Sequence, residues 1–300
     1  ASDAGDPCTP DVIVLQAALS GILVGGLYAL MAIGLSVTWG MLKVINLAHF
    51  GLILLSAYLT FAITTELGVD PLLSIAITAP VMFVIGAALQ WAFQAFRVSE
   101  FNSLLVSFGV LIMLIQTISN VWTADFRRLG ADVNPYSSGA LTIGPLAFPI
   151  PTLFAFVAAL VTVVALHLAL ERTFTGRAVR AFAEDPPIAA AFGIDHRRIG
   201  ILLSGVAGVT AAVAGTLFAI GGSMTPSTAL EWVGLVFAVV ILGGIGNVVG
   251  TLLAGALVGI VAGLVTVLWS PSAAPLVVFS MVVLALVFRP RGLLPRGWAA

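Results

Sequence analysis

Apolar residues run through this chain in long unbroken blocks separated by short polar breaks. Blocks of spanning length cover about 12–39, 46–66, 72–96, 102–123, 149–170 and 199–221. A helix crosses the hydrocarbon of a bilayer in about 20 residues, and each block supplies them. The block 231–269 is too long for one crossing and is interrupted at GGIGN (Gly243 to Asn247), so it reads as two; a last block covers about 275–288. The pattern predicts nine crossings, or eight if one segment is broken or re-entrant. The expected exception is 41–58, whose start, MLKVINLAHFG, is polar and punctuated. A β-barrel would show short alternating segments instead. The expected fold class is all-α, a polytopic integral membrane protein forming a single domain, 1–300, with an outer segment 1–11, an inner loop 171–198 and an inner tail 289–300.

Composition agrees with this reading. The chain is 60% hydrophobic and 8% charged, whereas soluble domains are about a quarter charged. A net charge of −1 says nothing about nucleic acid, and no nucleic-acid partner is expected. The single cysteine, Cys8, excludes an internal disulfide, and no CxxC pair is present to hold a metal. The first residues, ASDAGDPCTPD, lack a positive n-region, so the first apolar block is expected to be retained.

Charge placement predicts orientation. The longest polar interruption, Glu171 to Arg198, carries Arg172, Arg177, Arg180, Arg197 and Arg198. With this loop inside, Lys43, Arg97, Arg289, Arg291 and Arg296 also fall inside, and only Arg127 and Arg128 lie outside. Ten of the 12 basic residues then face the cytoplasm, as the positive-inside rule requires. The N-terminus is expected outside and the C-terminus inside.

The same loop carries helix punctuation. Asp185 suits an N-cap, Pro186 the first helical position and Gly193 the left-handed residue after the end. Ile188 and Phe192, four apart, share one face. Asp195 supplies a second cap before the next apolar block. A short capped helix in a basic loop can lie along lipid headgroups, or it can enter a groove on a soluble partner. The pattern alone leaves both open.

Catalytic motifs are absent from the sequence. It has no GxxxxGK[ST], no HExxH and no GxSxG, and its one lysine, Lys43, follows GML. No cofactor is expected. The polar residues inside the blocks are few. Asn46 and His49 suit either capping of a broken helix or a place on a substrate path. Gln90 and Gln94, and likewise Gln116 and Asn120, are four apart and suit interhelical hydrogen bonds or an aqueous lining. His167 is placed to pair with Glu171, and His196 to be solvated. No acidic residue falls at the middle of a block, so the energy for any transport is expected to come from elsewhere. The 31 glycines recur at short spacings that let helices approach closely. GILVGGLYALMAIGLS and GVTAAVAGTLFAIGGS look faintly alike, a hint of an internal repeat.

Four segments together carry a resemblance. They are GGLYALMAIGLSVTWGMLKVINLAHFG (25–51), GRAVRAFAEDPPIAAAFGI (176–194), VVILGGIGNVVGTLLAGALVGI (239–260) and RPRGLL (289–294). In this order they resemble the membrane permease subunits of branched-chain amino acid ABC importers. The resemblance implies a second permease subunit beside this one in the lipid of the inner membrane, two cytosolic ABC ATPase subunits and an extracytoplasmic substrate-binding protein. It implies that the inner loop contacts the ATPase, and Glu184, Asp185, Ala189, Ala190 and Gly193 fall on the family's contact; with Pro186, Ile188 and Phe192 of the same short helix they make up the expected ATPase-coupling surface. The expected substrate path carries Asn46, His49, Gln116 and Asn120. The sequence departs from the family at Pro186 and Pro187, which stiffen the helix start, and at Leu235, where many relatives carry a basic residue. The family also includes permeases for urea and short amides, and a self-sufficient carrier or channel is the alternative of a different class.

Overall fold

The computed structural model describes residues 10–288, and most of them are helical. The first apolar blocks form α1 (Pro10–Leu42), α2 (Ala48–Leu67), α3 (Ile75–Ala95), α4 (Glu100–Trp122) and α5 (Ile150–Arg172). Two short helices follow, α6 (Phe174–Glu184) and α7 (Pro186–Ala191). The chain closes with α8 (His196–Gly221), α9 (Thr228–Gly243), α10 (Val248–Leu268) and α11 (Ala274–Phe288). Eight helical segments are long and apolar enough to cross a membrane, the last one counted from Pro271. The expected tail 289–300, with Arg289, Arg291 and Arg296, lies outside the described residues, as do Cys8 and most of the expected outer segment.

The expected exception at 41–58 is corrected. From Ala48 onward this stretch is the start of α2, an unbroken helix of 20 residues, and the short apolar helix is α9, with 16. The polar start of 41–58 is a connection whose backbone is satisfied by α4. Ser107 Oγ accepts from the Leu47 amide at 2.9 Å and donates to the Ile45 carbonyl at 3.2 Å. A break satisfied in this way needs no re-entrant turn. Helix α9 ends where the GGIGN segment interrupts the block: Gly244 and Gly246 take φ of 88° and 84°, a region open to glycine at little cost. Asn247 then caps α10 by accepting from the Gly250 amide at 2.8 Å.

Helices α1 and α8 run through the centre. The stretch Ala29–Val37 of α1 is buried on all sides, so its apolar residues surround the helix rather than forming a stripe. Its closest neighbour is α10, met through paired glycines. A Cβ on Gly21 would stand 2.5 Å from the Gly259 carbonyl oxygen, and Gly25 faces Gly255 in the same way. Lipid supplies no hydrophobic drive for helix association, so this backbone-to-backbone fit carries the contact. Helix α8 is tied to α2 by hydrogen bonds from Ser56 Oγ to the Ala212 carbonyl (2.9 Å) and between the hydroxyls of Thr60 and Thr216 (2.9 Å). It is tied to α3 by Ser204 Oγ donating to Gln90 at 3.2 Å, an interhelical role for Gln90.

The connections fall at two ends. One end carries Lys43, Arg97, Arg172, Arg177, Arg180, Arg197 and Arg198; the other carries Arg127 and Arg128. At the second end the loop between α4 and α5 is cross-tied to its surroundings. Arg127 bridges Met224 through the backbone, the Asn134 amide donates to the Ile220 carbonyl (2.9 Å), and the Tyr136 hydroxyl donates to Asp70 (2.9 Å). This loop folds a small antiparallel hairpin, β1 (Ala140–Ile143) and β2 (Leu146–Pro149), turning at Gly144. The proline- and glycine-rich sequence reads only as loop.

Candidate functional site

The basic end is dominated by the α6–α7 projection. Helix α6 starts at Thr173, whose hydroxyl accepts from the Gly176 amide at 3.0 Å. Its Val179 is buried in a cluster with Ile33, Val37 and Met41 of α1, Leu170 of α5 and Ile199 of α8. The projection is therefore seated on three spans. Helix α7 begins as the caps predict, with Asp185 accepting from the Ile188 amide at 3.1 Å and proline in the first turn. It ends at Gly193, φ 81°, with the Gly193 amide bonded to the Ala190 carbonyl at 2.9 Å. Asp195 then caps α8 through the Arg197 amide at 2.9 Å and pairs with Arg198 at 3.2 Å.

What α7 exposes matters more than how it is capped. Ala189 is buried against the base, while Ile188 is 57% and Phe192 84% exposed. Glu184, Asp185, Ala190 and Gly193 are also exposed, and Pro186 is half-buried. Two large apolar side chains thus stand clear of the protein beside carboxylates, at the end richest in arginine. An apolar face on a short capped helix is what both groove docking and headgroup contact use. The sequence alone does not reveal α6, although Thr173 followed by Gly176 and the inward Val179 are its signal. His196 is exposed, with its ring stacked 6.2 Å from that of Phe182 on α6.

The four candidate path residues do not meet. His49 is 2% exposed and packs between α1 and α8, with Nε2 3.1 Å from the Met31 carbonyl oxygen. As a donor there it tethers the first turn of α2 to the middle of α1. Asn46 lies in the preceding connection, and its side-chain oxygen is buried with no partner. Gln116 and Asn120 lie elsewhere, on the exposed face of α4, where the Gln116 amide donates to Asn120 at 3.2 Å. Their remaining polar atoms point away from this chain. His167 and Glu171 pair at 3.3 Å at the basic end of α5. No group of three metal-ligating side chains occurs among the described residues.

Two cavities lie at opposite ends of the helices. One, of about 500 Å³ at the basic end, is bordered by Trp39, Lys43, Glu100, Leu104 and Ile245. The other, of about 370 Å³ at the opposite end, lies between α1, α5, α8 and α9. Sequence reasoning singles out neither. The signal for the second is Glu231, followed at once by Trp232 at the head of an apolar block.

Comparison with known proteins gives a consistent result. The model of a family described as the permease component of branched-chain amino acid transport systems matches residues 17–287. The high-affinity branched-chain amino acid transport system permease protein BraD of Pseudomonas aeruginosa is 29% identical, covering 94% of this chain and 96% of the relative. LivH of Escherichia coli K12, with the same description, is 27% identical over 94% and 96%. A probable LivH of Methanocaldococcus jannaschii is 24% identical over 82% and 79%. No solved structure matches the chain.

Proposed function

This chain belongs to the branched-chain amino acid transport permease family, and from that premise we propose that its α6–α7 projection is the surface through which separate cytosolic ATPases drive it. It is a multi-pass inner-membrane permease subunit of an ABC transport system for branched-chain amino acids. The observation that carries the coupling assignment is the exposure of Ile188 and Phe192 on a capped helix. Glu184, Asp185, Pro186, Ala189, Ala190 and Gly193 complete or support that surface. The basic end faces the cytosol, so that seven arginine and lysine side chains lie inside and two outside.

The mechanism follows from how the projection is seated. Val179 packs on α1, α5 and α8 at once, so a push on α7 reaches three spans through one packed cluster. Closure of two ATPases, each holding such a helix, tilts the spans of two permeases against each other. The exposed Gln116–Asn120 face of α4 is covered by the second permease, because polar amides facing lipid would be unsatisfied. Substrate is delivered by an extracytoplasmic binding protein. His49 acts by holding α2 on α1, with Asn46 beside it.

Reconstitution in vesicles tests this reading. With its ATPases, second permease and binding protein, the chain is expected to accumulate leucine only when ATP is supplied. Leucine flux through this chain alone would identify a self-sufficient carrier or channel and overturn it.

A further inference from the structure

The cavity at the end opposite the projection has the make-up of a ligand site. Its volume, about 370 Å³, falls at the lower end of the range for small-molecule pockets. Its walls are Leu23 and Leu27 of α1, Phe218 of α8, and Trp232 and Leu235 of α9. Phe218 and Trp232 lock edge to face at 4.7 Å, so this wall is formed in advance. Against these apolar groups stand two polar ones, the Tyr28 hydroxyl and the Glu231 carboxylate. Among the described residues no ion pair or hydrogen bond occupies either group. The third polar neighbour, Thr152, is already committed, its hydroxyl donating to the Pro149 carbonyl at 2.7 Å.

An apolar chamber with one free carboxylate and one free hydroxyl suits a ligand that is aliphatic at one end and cationic at the other. We propose that this cavity is the outer receiving site for the transported amino acid. The aliphatic side chain lies against Leu27, Phe218, Trp232 and Leu235. The α-ammonium pairs with Glu231, and the Tyr28 hydroxyl donates to the α-carboxylate. The site would also separate the two substrate classes that the sequence leaves open. Urea and short amides have no ammonium for Glu231 and too little apolar surface to fill the walls, whereas leucine and its isomers supply both. This assignment rests on the import reading above.

Cysteine protection tests it. In a Cys8→Ser background, Leu235→Cys and, separately, Leu27→Cys are placed in the full complex. The vesicles are made of phosphatidylcholine and phosphatidylglycerol, which offer no primary ammonium. Modification by a membrane-impermeant thiol reagent is expected from the outside, and saturating L-leucine should slow it about tenfold, while acetamide and urea leave it unchanged. Adding Glu231→Gln should raise the half-protecting leucine concentration by about tenfold or more, as loss of a charge-assisted contact does. Neither cysteine reacting, no protection by leucine, or undiminished protection with Glu231→Gln would each overturn the site. ATP-driven uptake in the Cys8→Ser parent separates the two readings. Uptake without protection sinks the cavity alone, and protection without uptake sinks the import reading alone.

Discussion

His49 on the first turn of α2 and Met31 in the middle of α1 are joined by a 3.1 Å contact between imidazole Nε2 and a backbone carbonyl. The seat for that ring is made by Gly34, one turn further along α1. A Cβ there would come within 2.5 Å of His49 Cε1. The tether and the close fit belong together, since the ring reaches the carbonyl only because α1 has no side chain in its way.

His49→Ala removes the bond and leaves a void in a packed site. A loss of about 2–3 kcal/mol is expected, read as a lower melting temperature of the detergent-solubilised protein. Uptake per folded molecule should be largely kept. Abolished uptake in a variant that still melts like the parent would instead put the ring on the substrate path.

Gly25→Leu drives a side chain into the backbone of α10 at Gly255. No rotamer avoids that contact, so the two helices must separate. The cost is expected to exceed about 1–3 kcal/mol, the usual penalty of overpacking. Thermal melting checks it, with Gly109→Leu as the control because nothing lies near that glycine on α4.

Ile188→Asp and Phe192→Asp alter side chains that this chain leaves exposed. Stability should move by no more than about 0.5 kcal/mol, whereas ATP-driven uptake should fall by about tenfold or more, as at interface hot spots. Asp185→Lys acts differently, because it also removes the N-cap of α7 and costs about 1 kcal/mol. Unchanged uptake in the two aspartate variants, measured at equal protein, would remove the coupling role.

Tyr136 and Asp70 give a prediction in pH. Burial, then the hydrogen bond to Asp70 and its negative charge, push the Tyr136 phenol above its ordinary value. A raised folded-state value means that the bond's contribution is complete below the ordinary phenol range. It is lost as pH rises through the folded value, above about pH 10. Proteolytic nicking of the 124–148 loop should therefore increase only at strongly alkaline pH. Tyr136→Phe should show the higher rate already at neutral pH.

Local signals were legible in the sequence and facing was not. The caps at Asp185, Gly193 and Asp195 depend on a few neighbouring residues, and all three form. The break at GGIGN could be read for the same reason. The length of α9 could not, because Ser227 before it is already in helical conformation and makes no side-chain cap bond that would mark the start. Helix α6 hid behind its arginines, since one inward residue, Val179, is enough to seat it. The candidate path residues failed to converge because periodicity says which residues share a face of α4, not what that face meets. Gln116 and Asn120 do share one, and it points out of the chain. The cavity between α1, α5, α8 and α9 needed four helices from distant parts of the chain, so no window of sequence contains it.

The central claim is that Phe192 meets an engine outside this chain. In a Cys8→Ser background, Phe192→Cys can be cross-linked to the ATPase with a short thiol-reactive spacer in sealed vesicles. A cross-linked permease–ATPase band is expected, changing in intensity when ATP is added, with the cysteine unreactive towards impermeant reagents applied from outside. Labelling from the outside, or no ATPase adduct in a complex that still imports leucine, would contradict the account.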